Sequence, residues 1–158
     1  KTNSFRLEDS FNRLPCYAKG LKVGYVDKSC VSIHSEWIEK WKVMVSRANN
    51  IGTELNDDNL NTFVLRPQYI CTESYIVIGA ELGLDENMAN NLALFLKTKF
   101  ARYLHSLAKS SQDATAKTYR FIPLVDFSRK WDDLDLYEYF QLSENEICLI
   151  KESIMEME

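Results

Sequence analysis

Histidine, cysteine, glycine and proline are all scarce in this 158-residue chain, and each scarcity removes a class of chemistry. The two histidines, His34 and His105, stand alone without a second histidine or a cysteine pair at ligand spacing, which argues against a structural or catalytic zinc site. The four cysteines, Cys16, Cys30, Cys71 and Cys148, lie 14, 41 and 77 residues apart, so they form neither a C-x-x-C pair nor a dense disulfide scaffold. They read as buried thiols in a reducing compartment, and Cys71, with only Thr72 beside it, lacks the neighbouring base a nucleophile needs. Five glycines make no phosphate-cradling or dinucleotide loop. Three isolated prolines, Pro15, Pro67 and Pro123, make no linker, and there are no internal repeats or low-complexity tracts. Apolar runs such as Tyr75–Ile78 fall far short of the roughly 18 residues a membrane span requires, and no apolar signal region follows the N-terminus. No acidic residue is followed two positions later by Lys, so the acid-x-Lys core of many metal-dependent nucleases is missing. These absences predict a cytoplasmic chain with no membrane contact, no metal site and no catalytic site of its own.

What remains is ordinary in bulk and uneven in detail. An apolar share of 46% and a charged share of 27% suit one packed domain spanning 1–158. The polar opening at Lys1, without an initiator Met, reads as the start of a fragment of a longer protein. The net charge of −4 conceals four blocks. Residues 1–47 carry a surplus of four positive charges and 48–96 a surplus of six negative ones; 97–130 carry six positive and 131–158 eight negative.

The hydrophobic pattern predicts an α+β fold, with a mixed or antiparallel sheet packed against one long amphipathic helix and a further helix at the C-terminus. Val23, Tyr25 and Val26 mark a short strand, and residues 41–46 alternate apolar with polar. Residues 62–65 and 69–79 are rich in β-branched and aromatic side chains, and 119–123 alternates like another strand. From Asp85, a natural N-cap, the stripe Leu92, Leu96, Phe100, Tyr103 and Leu107 steps at helical spacing as far as Lys109. Residues 134–140 suggest a brief helix in which Asp132, Asp133 and Asp135 are charges at its start. Ser143 and Glu146 form a capping box ahead of Ile147, Ile150, Ile154 and Met157.

On the long helix, Thr98, Arg102, His105 and Lys109 share one face, turned away from the apolar stripe. That face advances about 17 Å along the axis, enough to meet several phosphates of a duplex. The loop 110–118 that follows carries Ser, Gln, Thr and Lys117, short donors and acceptors for phosphate or base edges, with Arg120 just beyond; a flexible exposed loop is the plainer reading. A second surface is KWKVMVSRANN, residues 40–50, in which Lys42 and Arg47 bracket a strand. There Asn49 and Asn50 either read an adenine edge or simply make a turn.

The order of WKVMVSRANNIG (41–52), TESYIVIG (72–79), LKTKFARYLHSLAKSSQDATAKTYRFIPLVDFSRKW (96–131) and LSENEICLIKESI (142–154) resembles the C-terminal region of large adenine-specific DNA methyltransferases of bacterial restriction–modification systems. These include bifunctional type II enzymes that both methylate and cut. The resemblance covers roughly residues 20–155. It implies a target-recognition module that holds and reads double-stranded DNA while a base is flipped into a pocket elsewhere. The catalytic tetrapeptide of that family, of the Asn-Pro-Pro-Tyr type, cannot be assembled from three isolated prolines, so the resemblance places it in an upstream methyltransferase domain. S-adenosylmethionine, and Mg where the parent also cleaves, are implied for that parent enzyme and no cofactor for this fragment. Lys42, Thr72, Tyr75, Thr98, Lys99 and Arg102 stand inside the matching segments and carry over as DNA-binding candidates. A different class of reading makes the chain a docking domain, with the C-terminal helix and the aromatic stretch 131–140 packing on the catalytic domain or a partner subunit.

Overall fold

Val43, Met44 and Val45, in the strand Lys42–Ser46, are almost wholly buried, and this strand organises the molecule. The computed structural model describes residues 5–51, 60–111 and 113–155; Lys1, Gly52, Gln112 and Met157 lie outside them. Among the described residues six strands make two sheets of three. In the first, β1 (Arg13–Ala18) pairs antiparallel with β2 (Lys22–Asp27) and parallel with the two-residue β5 (Ile70–Cys71). In the second, β3 (Lys42–Ser46) is central, flanked antiparallel by β4 (Phe63–Leu65) and β6 (Tyr75–Ile78).

Register sorts the second sheet into two faces, because paired residues point the same way and successive ones alternate. Val43 and Val45, with their partners Val64, Ile76 and Ile78, pack in the main hydrophobic core against the helices. Lys42, whose partner is Leu65, and Met44, whose partner is Val77, face the other way, toward the first sheet. Gly79, at φ +83, ends β6: a Cβ there would stand 2.6 Å from Leu92 Cδ2 and 2.9 Å from Leu84 Cδ1. The bare backbone lets the following helix close onto the sheet.

Among the described residues four helices complete the α+β fold: α1 (Glu86–Phe95), α2 (Lys99–Leu107), α3 (Asp133–Tyr139) and α4 (Glu144–Ser153). Asp85 caps α1 by accepting from Met88 N at 2.8 Å, and the Ser143/Glu146 capping box opens α4 as anticipated.

The structure corrects the expected elements in four places. The single sheet is two. The stretch 69–79 divides between them, because the turn at Thr72–Ser74 passes the chain from β5 to β6. The expected long helix is two helices. Thr98 is extended (ψ 151); its hydroxyl donates to Phe95 O at 2.7 Å and accepts from Ala101 N at 3.1 Å, closing α1 and capping α2. Asp133 then takes the next two orphan amides of α2, accepting from Lys99 N at 3.0 Å and Phe100 N at 2.8 Å. Residues 119–123 form no strand: Tyr119 ends a 3₁₀ turn, Ala116–Tyr119, and an irregular turn follows. β1 was not anticipated: RLPCYA has little alternation and contains Pro15, yet it pairs on both sides.

Candidate nucleic-acid interface

The proposed cationic ridge of the helix faces inward. Arg102 is 2% exposed and His105 0%. The Arg102 guanidinium donates from Nε to Lys97 O at 3.0 Å and from Nη1 to Met155 O at 2.9 Å, tying the start of α2 to the chain just beyond α4. Among the described residues its charge serves two carbonyls, Lys97 O and Met155 O. His105 lies against the Tyr119 ring, centroids 4.3 Å apart, and its Nδ1–H donates to Thr118 O at 3.2 Å. Burial first, then the positive charge of Lys109, pushes its pKa down to about 4, against the pull of the Thr118 carbonyl, so the ring is neutral at pH 7. Lys109 Nζ donates to Asn49 O at 2.7 Å and Asn49 Oδ1 at 2.6 Å. Thr98 is buried in its capping role, and Lys99 is half-buried over Asp133.

The expectation of an outward ridge is therefore overturned, for a steric reason. α2 touches α3, α4 and the 3₁₀ turn Ala116–Tyr119, so little of its circumference is left to solvent. Helical spacing puts Arg102 and His105 on one face of α2, but Thr98 is the extended cap of that helix and Lys109 lies beyond its end, and spacing could not say that the face would be covered.

Other candidates are also internal. Lys42 is 2% exposed, with Nζ donating to Lys40 O at 2.9 Å, and its burial drops its pKa to about 8. Tyr75 is scaffold: its hydroxyl donates to Ala18 O and accepts from Leu21 N, each at 3.1 Å, joining β6 to the β1–β2 hairpin. Thr72 Oγ1 is buried without a partner among the described residues. Asn49, 5% exposed and gripped by Lys109, cannot present its carbonyl edge to a base, while Asn50 is half-buried.

What the structure does bring together is the end of β3 and the loop after α2. Ala114 N donates to Arg47 O at 2.7 Å, Ala48 and Asp113 form an antiparallel bridge, and Lys109 reaches Asn49 from the same side. Two basic segments some 65 residues apart in sequence thus meet at one joint. Arg47 is exposed at this joint, and Lys117 and Arg120 are exposed three and six residues beyond Ala114; none of the three has a carboxylate partner among the described residues. The Arg120 guanidinium sits 4.7 Å from the centre of the Phe121 ring, itself 46% exposed, an arginine–aromatic pair that the adjacent residues Arg120-Phe121 could have signalled. Asp113 is the opposing charge.

The docking alternative also changes. Ile150, Ile154, Trp131 and Tyr137 are spent in the core, leaving Leu134 at 71%, Tyr139 at 61% and Leu149 at 50% exposed on the outer sides of α3 and α4. Of the cysteines, Cys16 is buried and Cys71 half-buried, but Cys30 and Cys148 are exposed, contrary to the expectation of four buried thiols. Among the described residues no helix is long and apolar enough to cross a membrane, and no group of three or more His, Cys, Asp or Glu side chains gathers as metal ligands would. No protein-family description, curated protein or solved structure matches the chain.

Proposed function

We propose that the chain is a duplex-DNA-contacting specificity module whose contact surface is the joint between β3 and the 113–120 loop, with the inward face of α2 as its scaffold. The observation that carries this reading is the Arg47–Ala114 backbone bond, which puts Arg47, Lys117 and Arg120 on neighbouring chain segments. Three exposed cations reaching phosphate give positioning without sequence information; the Arg120–Phe121 pair adds a flat surface for a base or sugar. The resemblance of segments 41–52 and 96–131 to restriction–modification methyltransferases supports the same assignment, because these are the two segments the joint unites. Catalysis and S-adenosylmethionine would belong to an upstream domain of the same polypeptide.

About three phosphate contacts give a slope of log affinity on log salt near −3, much shallower than large DNA-binding surfaces show, so binding by the isolated chain is weak. Fluorescence anisotropy with a labelled 20-base-pair duplex, from about 20 to 150 mM salt, tests it. Replacing Arg47, Lys117 and Arg120 together by Ala is expected to abolish binding at low salt, while Lys151→Ala, an exposed cation on α4, leaves it unchanged. Equal binding by the triple variant and the parent chain would refute the assignment.

A second reading is favoured by Leu134, Tyr139 and Leu149: these outer side chains of α3 and α4 dock on the upstream methyltransferase domain. Replacing Leu134 and Leu149 by Ser should then weaken association of separately expressed halves without touching DNA affinity. The same association by the Ser variant would remove this reading.

A further inference from the structure

The face of β3 that carries Lys42 does not meet the first sheet in full contact. Between the two sheets lies an open cavity of about 760 Å³, within the range of small-molecule sites. Its walls are largely apolar: Val26, Val31, Ile38, Leu65, Ile70 and Val77 contribute from both sheets and from the segment between β2 and β3. The polar groups along this wall are unevenly matched. Lys42 is 2% exposed and uses one ammonium hydrogen on Lys40 O, leaving two without partners among the described residues. Trp37 Nε1 and Thr72 Oγ1, on two other lining residues, are buried and likewise unpaired among the described residues.

The charges around Lys42 do not supply the missing acceptor. Glu39, the carboxylate acting on it, already receives Lys28 Nζ at 3.1 Å and the Gln68 amide. Cys16 and Cys71 line the same space, but burial raises their thiol pKa values to about 11 and about 12, so they are neutral. Glu73 is exposed at the rim, as is His34, whose ring stacks on Trp37 with centroids 3.7 Å apart. A buried cation without a counter-ion, in an apolar cavity with spare donors, is costly unless something negative and apolar occupies it.

We propose that the space between the two sheets is a binding site for a small amphipathic carboxylate, its apolar body against the Val31–Ile70–Val77 wall and its carboxylate on Lys42, with Trp37 and Thr72 as supporting donors. The site lies on a different part of the chain from the joint at Arg47, so either can fail without the other.

Octanoate, octan-1-ol and octylamine form a matched probe set of equal chain length and different head charge. Titrated into the full chain and followed by amide NMR shifts, octanoate is expected to move residues 31–38 and 70–77, to bind at least tenfold tighter than octanol, and octylamine not to bind. Lys42→Met keeps the volume and removes a buried charge, so it is expected to fold with an unchanged or higher thermal midpoint and to lose at least tenfold in octanoate affinity while keeping that for octanol. Trp37→Phe, which keeps an aromatic ring and deletes the indole N–H, is the second variant and is expected to weaken octanoate about threefold or more. Equal affinity for octanoate and octanol, binding of none of the three, or octanoate affinity unmoved in either folded variant would overturn the proposal.

Discussion

Acidification should destabilise this protein through His105, by an amount that follows from where the ring sits. In the folded chain the imidazole is wholly buried beside Tyr119 and near the Lys109 ammonium, and its pKa falls to about 4; in the unfolded chain it returns to about 6.5. Because the folded-state value is the lower one, the unfolded chain binds the extra proton first. The neutral ring's stabilisation is complete above pH 6.5 and is lost progressively as pH falls toward 4. The full shift corresponds to about 3 kcal/mol, and linkage puts the loss between pH 7.5 and pH 5 at about 2 kcal/mol. That is a large share of the stability of a domain this size and would lower a urea midpoint by about 1 M. The perturbation is His105→Gln, which retains an amide donor for Thr118 O but cannot titrate. Urea unfolding of both proteins between pH 7.5 and 5 isolates the effect, since every other ionisable group is common to the two. The parent chain is expected to lose about 2 kcal/mol more than the variant over this interval. Parallel stability curves would show that His105 is not a buried neutral ring, and with it the inward orientation of α2 would fail.

Three further substitutions, the last with a control at Gly83, test the scaffold. Arg102→Leu removes the charge-assisted bonds to Lys97 O and Met155 O and is expected to cost about 3 kcal/mol, measured by urea unfolding; a cost below about 0.5 kcal/mol would place the guanidinium in solvent after all. Asp133→Ala uncaps Lys99 N and Phe100 N and should destabilise by about 1–2 kcal/mol, with faster amide exchange in the first turn of α2; unchanged exchange there would contradict the cross-helix cap. Gly79→Ala forces a Cβ toward Leu92 and Leu84 at positive φ and should cost about 2 kcal/mol or more in thermal unfolding, whereas Gly83→Ala, also at positive φ but with open space, should cost less; equal costs would refute the close approach.

The elements legible in the sequence are those whose signals are local. Asp85, Ser143 and Glu146 announce helix starts, and the β-branched run of β3 and β6 announces strands, because caps and pleat-fitting residues act within a few positions. The break at Thr98 was not legible: a stripe from Leu92 to Leu107 continues through it, and half of what stabilises the break, Asp133, is over 30 residues away. β1 was hidden for a similar reason, since its two partners, β2 and β5, hold Pro15 and Cys16 in a strand that pattern alone does not specify. The candidate site was half legible. Basic residues were located in the right segments, but whether a helical cation meets water or a carbonyl is decided by Met155, Thr118 and Asn49, none of them a helical neighbour. The meeting of β3 with the 113–120 loop, and the cavity around Lys42, exist only in three dimensions.

Amide chemical-shift mapping of the full chain with a short duplex at about 20 mM salt bears most directly on the functional assignment. Shifts concentrated at Arg47, Ala48 and residues 114–121 are the predicted result, with the β1–β2 hairpin around Lys19 and Lys22 unmoved. Shifts centred on that hairpin, or none at all, would contradict it.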